Sequence, residues 1–177
     1  GIGNDDAVVV YDASGQNFSA PRLWFMLRAF GHDRVAVLDG GLKRWLLDGR
    51  PVTAAATAIV PATFTPRFDA SRVRDAAWVL AHLGSGEEQV VDARSAGRFQ
   101  ATEPEPRPGL RGGHIPGSRN IPYVTLVNED GTLRSRRELE TITRDAGVDP
   151  SRGVVCSCGS GLTACAVLLA LDVLGAP

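Results

Sequence analysis

No stretch of this 177-residue chain approaches the roughly 20 consecutive apolar residues that a helix needs to cross a bilayer, so a membrane-spanning helix is excluded. No Lys/Arg-rich run is present, and the net charge of −1 exerts no pull toward nucleic acid. Cysteine is scarce. The three that occur, Cys156, Cys158 and Cys165, lie close together, too few and too clustered for a secreted disulfide framework. The sequence also argues against a zinc site, because no second Cys pair exists and His32, His82 and His114 are far apart in the chain. The expectation is no metal, no cofactor, at least one free thiol and a reducing, cytoplasmic compartment. The N-terminus, Gly1-Ile2-Gly3-Asn4-Asp5-Asp6, lacks an initiator Met, a basic segment and an apolar segment, so it reads as the middle of a longer protein. What is present looks globular: 44% of residues are hydrophobic and 22% charged.

Val8-Val9-Val10-Tyr11-Asp12 is a short apolar run ending in a turn-former, which predicts a buried strand. Leu23, Met26, Leu27 and Phe30 then recur at helical spacing, with Pro21 at the start and Gly31 past the end. Arg34 to Asp39 predicts a second strand, and Leu42, Trp45 and Leu46 a short helix. Alternating strand and helix is the signature of a parallel sheet covered by helices. From Pro51 to Asp69 the composition shifts to Ala, Thr and Pro without periodicity, as in a linker. The boundaries drawn are a first unit at 1–52, a linker at 53–70 and a second unit at 71–177.

In the second unit, Asp75 to Leu83 predicts a helix and Gln89 to Asp92 a strand. A Pro/Gly/Arg-rich loop runs from about Gln100 to Ser118, followed by a short extended piece at Asn120 to Tyr123 and a turn at Asn128 to Gly131. Ser135 to Ala146 predicts a helix with a capping box between Ser135 and Glu138. Gly153 to Cys156 predicts a strand. Leu162 to Leu174 is a helix apolar almost all round, hence mostly buried. The strand-then-helix rhythm at Val10-Tyr11-Asp12 matches that at Val155-Cys156-Ser157-Cys158, which suggests an internal duplication whose first copy lost its cysteine.

The segment Cys158-Gly159-Ser160-Gly161-Leu162-Thr163 joins the last strand directly to the last helix. Two glycines permit the tight turns that aim successive N–H groups into one concave arc, and the helix N-terminus adds its positive dipole end. A thiol at the base of such a cup ionises below the free-cysteine value of about 8.5. Ser160 and Thr163 add hydroxyl donors. A Cys between strand and helix is ordinarily a small buried hydrophobe; the Gly-Ser-Gly cradle argues for a nucleophile here, whereas Cys156 and Cys165 keep the core reading.

This loop resembles the active-site loop of the rhodanese family of sulfurtransferases, in its 3-mercaptopyruvate-using branch. Gly97-Arg98-Phe99, Thr102-Glu103-Pro104-Glu105-Pro106-Arg107, Gly113-His114-Ile115-Pro116-Gly117-Ser118 and Asn120-Ile121-Pro122 are similar to the same family's catalytic domain. Ala20-Pro21-Arg22, Phe30-Gly31-His32 and Leu38-Asp39-Gly40-Gly41 resemble the second half of its inactive N-terminal domain. The resemblance implies an α/β fold, a rhodanese-like parallel sheet flanked by helices, with one catalytic domain and part of an inactive copy. It also implies that the family's chain continues beyond both ends of this one, so that cleft residues are missing and the isolated stretch is weakly stable.

The implied chemistry is ping-pong sulfur transfer from a small anionic donor, through a persulfide on Cys158, to a thiol or cyanide acceptor, the thiol being thioredoxin-like. Gly159, Ser160, Gly161, Leu162 and Thr163 would stabilise the persulfide. Arg98 and Arg107 would bind the donor's carboxylate and carbonyl, as a guanidinium fork is shaped to do; the competing reading is a salt bridge to Glu103 or Glu105. Arg94, Arg111 and Arg119 are read as solvated or ion-paired, and Asp92 and His114 as structural. Cysteine phosphatases of similar fold carry a loop one residue longer that closes with Arg, where this chain has Thr163 and Ala164. Thiosulfate-using relatives carry cations after the cysteine, so the neutral Gly159-Ser160 pair favours 3-mercaptopyruvate. Thiosulfate transfer and a non-catalytic binding module are the alternatives.

Overall fold

The computed structural model describes all 177 residues. The first unit runs β1 (Val8–Val10), α1 (Ala20–Ala29), β2 (Val35–Val37) and α2 (Gly41–Leu47). β1 and β2 pair in parallel, Val8 opposite Val35 and Val10 opposite Val37. Pro21 in the first turn of α1 loses no helical hydrogen bond there. Gly40, with φ of +75°, makes the left-handed turn into α2.

The predicted linker is an irregular, largely exposed run up to a 3₁₀ turn at Ala70–Arg72. It folds back over the first unit. Arg67 N–H and Asp69 N–H donate to the carbonyls of Phe30 and Ala29 at 2.9 and 2.8 Å. Phe68 packs on Phe30 with ring centroids 5.2 Å apart.

The second unit runs α3 (Ala76–Ala81), β3 (Gln89–Asp92), α4 (Ala96–Phe99), β4 (Arg119–Asn120), a 3₁₀ turn at Tyr123–Leu126, α5 (Arg136–Asp145), β5 (Val154–Ser157) and α6 (Thr163–Leu174). Its sheet has the order β4-β3-β5, every pair parallel, with Asp92 opposite both Asn120 and Ser157. The three strands therefore end at one level, where open α/β sheets place their sites. The capping box forms, with Ser135 Oγ and Glu138 Oε2 exchanging bonds with each other's backbone N–H. The short α4 was not predicted; four residues carry too little periodicity to show in sequence.

The core of the second unit gathers Val91, Ala93, Ile121, Leu126, Leu139, Val148, Val167, Ala170 and Leu171. Leu168 and Leu169, on another side of α6, pack against the smaller core of Val10, Ala20 and Trp24 in the first unit. That is why α6 is apolar almost all round: it serves both cores. Arg28 on α1 pairs with Asp172 on α6 at 2.6 Å, and Asp39 Oδ1 accepts from Leu133 N–H at 2.7 Å. Arg44 reaches Asp130 at 2.7 Å, so ion pairs, hydrogen bonds and apolar contact all join the two units.

Candidate active site

β5 delivers the chain to Ser157, and Cys158 is the next residue, at the C-terminal edge of the sheet. The backbone then curls through Gly161, whose φ of +75° is left-handed, before α6 begins at Thr163. The Gly161 N–H donates to Cys158 Sγ at 3.0 Å. Burial by itself pushes the Cys158 thiol up. Hydrogen bonds from the Thr163 hydroxyl and the N–H groups of Ser160, Ala164 and Gly161 outweigh it and hold the thiol below its ordinary value. The positive end of the α6 dipole acts in the same direction.

Its neighbours behave oppositely. Burial, with the other two cysteines adding to it, pushes Cys156 far up. Burial also pushes Cys165 up to about 11, although Arg22 draws it partly back. All three are free, and Cys158 alone is held below the ordinary thiol value.

The predicted loop residues divide by what they reach. Ser160 and Gly161 face the sulfur through backbone N–H groups and Thr163 through its hydroxyl. Gly159 and Leu162 make no bond to it. Ala164, not foreseen, contributes its N–H; as a first-turn residue of α6 it has no intrahelical acceptor for that group, which was the available signal.

A second cluster lies beside the loop. Asp92, buried at the end of β3, accepts from the Arg94 N–H at 2.9 Å and from Arg94 Nη2 at 2.6 Å. Arg94 Nη1 reaches Glu105 at 2.7 Å, and Glu105 in turn receives Arg98 Nη2 at 2.6 Å and Nε at 3.2 Å. Arg98 and then Arg94 hold the Glu105 carboxyl below the usual carboxylate range, against the opposing effect of desolvation. Arg98 therefore has the ion-pair partner that competed with a donor-binding role. It nonetheless sits at the loop: its Nη2 lies 3.0 Å from where a Cβ on Gly159 would be.

Arg107 is exposed on the long loop and makes no hydrogen bond or ion pair within the chain. Arg119 donates to the carbonyl of Gly117 at 3.1 Å. His114 stacks on Phe99 with centroids 3.8 Å apart and bonds through Nδ1 to the Phe99 carbonyl at 2.8 Å, tying the long loop to α4. One contact had no signal in the sequence: Arg22, on α1, donates from Nη1 to the Gly161 carbonyl at 2.9 Å, across 139 residues of chain.

Fold and loop together define an α/β scaffold that presents one activated cysteine at the C-terminal end of a parallel sheet. The chain belongs to the rhodanese family, whose rhodanese-like domain matches residues 1–48 and 75–176. It is 43% identical over 178 residues to a 3-mercaptopyruvate sulfurtransferase of Rattus norvegicus, covering 100% of this chain and 60% of that protein. It is 44% identical over 179 residues to a thiosulfate sulfurtransferase of Cricetulus griseus, with coverage of 100% and 60%. The crystal structure of SseA from Escherichia coli, from work on 3-mercaptopyruvate sulfotransferases, aligns with a TM-score of 0.87 at 40% identity, over 100% of this chain and 65% of that one. The chain thus spans about 60% of the length of these curated relatives.

Proposed function

We propose that this chain carries the catalytic unit of a 3-mercaptopyruvate sulfurtransferase, with Cys158 as the sulfur carrier. The observation that carries the reading is the loop around Cys158: the Gly161 N–H donates to Sγ at 3.0 Å, and the Thr163 hydroxyl with the N–H groups of Ser160 and Ala164 acts with it to lower the thiol. Such a loop stabilises charge on sulfur in the thiolate and, after sulfur is taken up, on the persulfide.

The Cys158 thiolate attacks the sulfur of 3-mercaptopyruvate. The new S–S bond forms as the donor's C–S bond breaks, and the departing carbon is released as the enolate of pyruvate, which takes up a proton. A thiolate or cyanide acceptor then attacks the outer sulfur, the S–S bond breaks, and the Cys158 thiolate returns. Arg98 and Arg107 anchor the donor's carboxylate and carbonyl. The bare Gly159 and neutral Ser160 leave the loop without a side-chain cation, which suits a monoanion better than the thiosulfate dianion.

The remaining assignments belong to the same reading. Residues 71–177 form the catalytic unit, 53–70 the connection, and 1–52 part of a non-catalytic copy. The copy is supported by the shared strand–loop–helix order of β1–α1 and β5–α6. The acceptor is a thiol of the thioredoxin-like kind or cyanide. Three free cysteines suit a reducing, cytoplasmic setting, and no helix is long and apolar enough to cross a membrane. Steady-state turnover with each donor, cyanide as acceptor, tests the assignment. A higher kcat/KM with 3-mercaptopyruvate than with thiosulfate is expected; the reverse order would replace the donor.

A further inference from the structure

Gly161 is held from both sides. Its N–H meets the reactive sulfur at 3.0 Å, and its carbonyl accepts from Arg22 Nη1 at 2.9 Å and from the Cys165 thiol at 3.2 Å. Its left-handed φ of +75° is a conformation from which a glycine swings easily. Fixing the carbonyl restrains the whole residue, including the N–H that points at Cys158.

Arg22 is well suited to impose that restraint. It stands in the first turn of α1, half-buried, and forms no ion pair with any carboxylate. Its neighbour on the same helix, Arg28, shows the ordinary structural solution: a salt bridge to Asp172 at 2.6 Å. These two contacts align α1 and α6 side by side in the same direction, start against start and end against end. The close approach also depends on glycine, because a Cβ at position 161 would lie 2.6 Å from Arg22 Nη1.

We propose that Arg22 is a positioning residue for Cys158: from the first unit it pins the Gly161 carbonyl and so keeps the Gly161 N–H on the sulfur. The unit without a reactive cysteine thereby sets how much of the Cys158 thiol is ionised and ready to attack. The consequence for turnover rests on the sulfur-transfer reading; the positioning itself does not.

The test is the pH dependence of Cys158 alkylation by iodoacetamide, mapped by mass spectrometry on the full chain, for the wild type, Arg22→Met and Arg22→Lys. Met keeps the apolar stem and loses the donor; Lys keeps one charged donor, enough for one carbonyl. The midpoint for Arg22→Met should rise by about half to one pH unit, with Arg22→Lys returning most of the way to wild type. Thermal melting is recorded alongside, since a merely structural tie would lower the melting temperature and leave the alkylation midpoint in place. An unmoved midpoint in Arg22→Met, or an equal shift in both variants, overturns the proposal. Should Arg22→Met fail to fold, Arg22→Leu, which likewise carries no donor, takes its place in the same comparison. Alkylation needs no sulfur donor, so its failure is separable from that of sulfur transfer, which is read from persulfide formation in the wild type.

Discussion

Arg98 Nη2 stands 3.0 Å from the position that a Cβ on Gly159 would occupy. The guanidinium lies against the Cys158 loop because the residue after Cys158 has no side chain. Gly159 does not have a left-handed φ, so its backbone accepts a larger residue without strain. Gly159→Ala should therefore fold normally, push Arg98 aside and raise KM for 3-mercaptopyruvate severalfold with a smaller change in kcat. Gly159→Arg should go further and raise the thiosulfate-to-mercaptopyruvate ratio of kcat/KM. Donor kinetics on the two variants check both statements; an unchanged ratio in Gly159→Arg would remove this position from donor choice.

Arg107 offers a cleaner separation of binding from folding. It is exposed and makes no bond within the chain, so Arg107→Ala should leave unfolding free energy within about 0.5 kcal/mol of wild type. If it anchors the donor, KM should rise by about tenfold or more, as expected for a lost charge-assisted hydrogen bond. A variant with wild-type KM would show that Arg98 acts without it.

The three thiols should respond differently to alkylation at neutral pH. Cys158 is held below its ordinary value by four hydrogen bonds that outweigh burial, whereas burial pushes Cys165 up to about 11 and Cys156 higher still. Iodoacetamide should label Cys158 first, and Cys156 and Cys165 only after denaturation. Peptide mapping reads this directly. Equal labelling of the three would show that the loop does not activate its cysteine.

Much of this architecture was legible in the sequence because it rests on local rules. The apolar runs at Val8 to Val10 and Gln89 to Asp92 formed strands, and Ser135 with Glu138 formed its capping box. The apolar circumference of Leu162 to Leu174 announced a buried helix, though not that it serves two cores. The site was legible only along the chain. The cradle after Cys158 could be read, but Glu105 bridging Arg94 and Arg98 depends on how a long loop folds back. Arg22 stood out only as part of the Ala20-Pro21-Arg22 motif, and its contact with Gly161 could not be read. On its own helix it is one more polar residue, and its role exists only because α1 lies beside α6.

Acid should weaken the turn that Asp130 forms with Thr132, and with it the Arg44 tie to the first unit. The Thr132 hydroxyl and N–H, and then Arg44, hold Asp130 down to about 2 from its ordinary 3.8. A carboxyl whose folded value is depressed stabilises the fold above its unfolded value and loses that contribution as pH falls through its folded value. The effect is thus full above about pH 4 and gone near about pH 2. Urea unfolding of wild type and Asp130→Asn as a function of pH checks this. The difference between them should be constant at neutral pH and close between about pH 4 and pH 2; a gap that persists below that window would assign the stabilisation to another group.

The central claim is that Cys158 carries sulfur, and intact-protein mass spectrometry after brief exposure to 3-mercaptopyruvate without acceptor tests it most directly. The protein should gain the mass of one sulfur atom, mapped to Cys158, removed by cyanide and absent in Cys158→Ser. Folded protein that gains no sulfur, or gains it equally in Cys158→Ser, would contradict it.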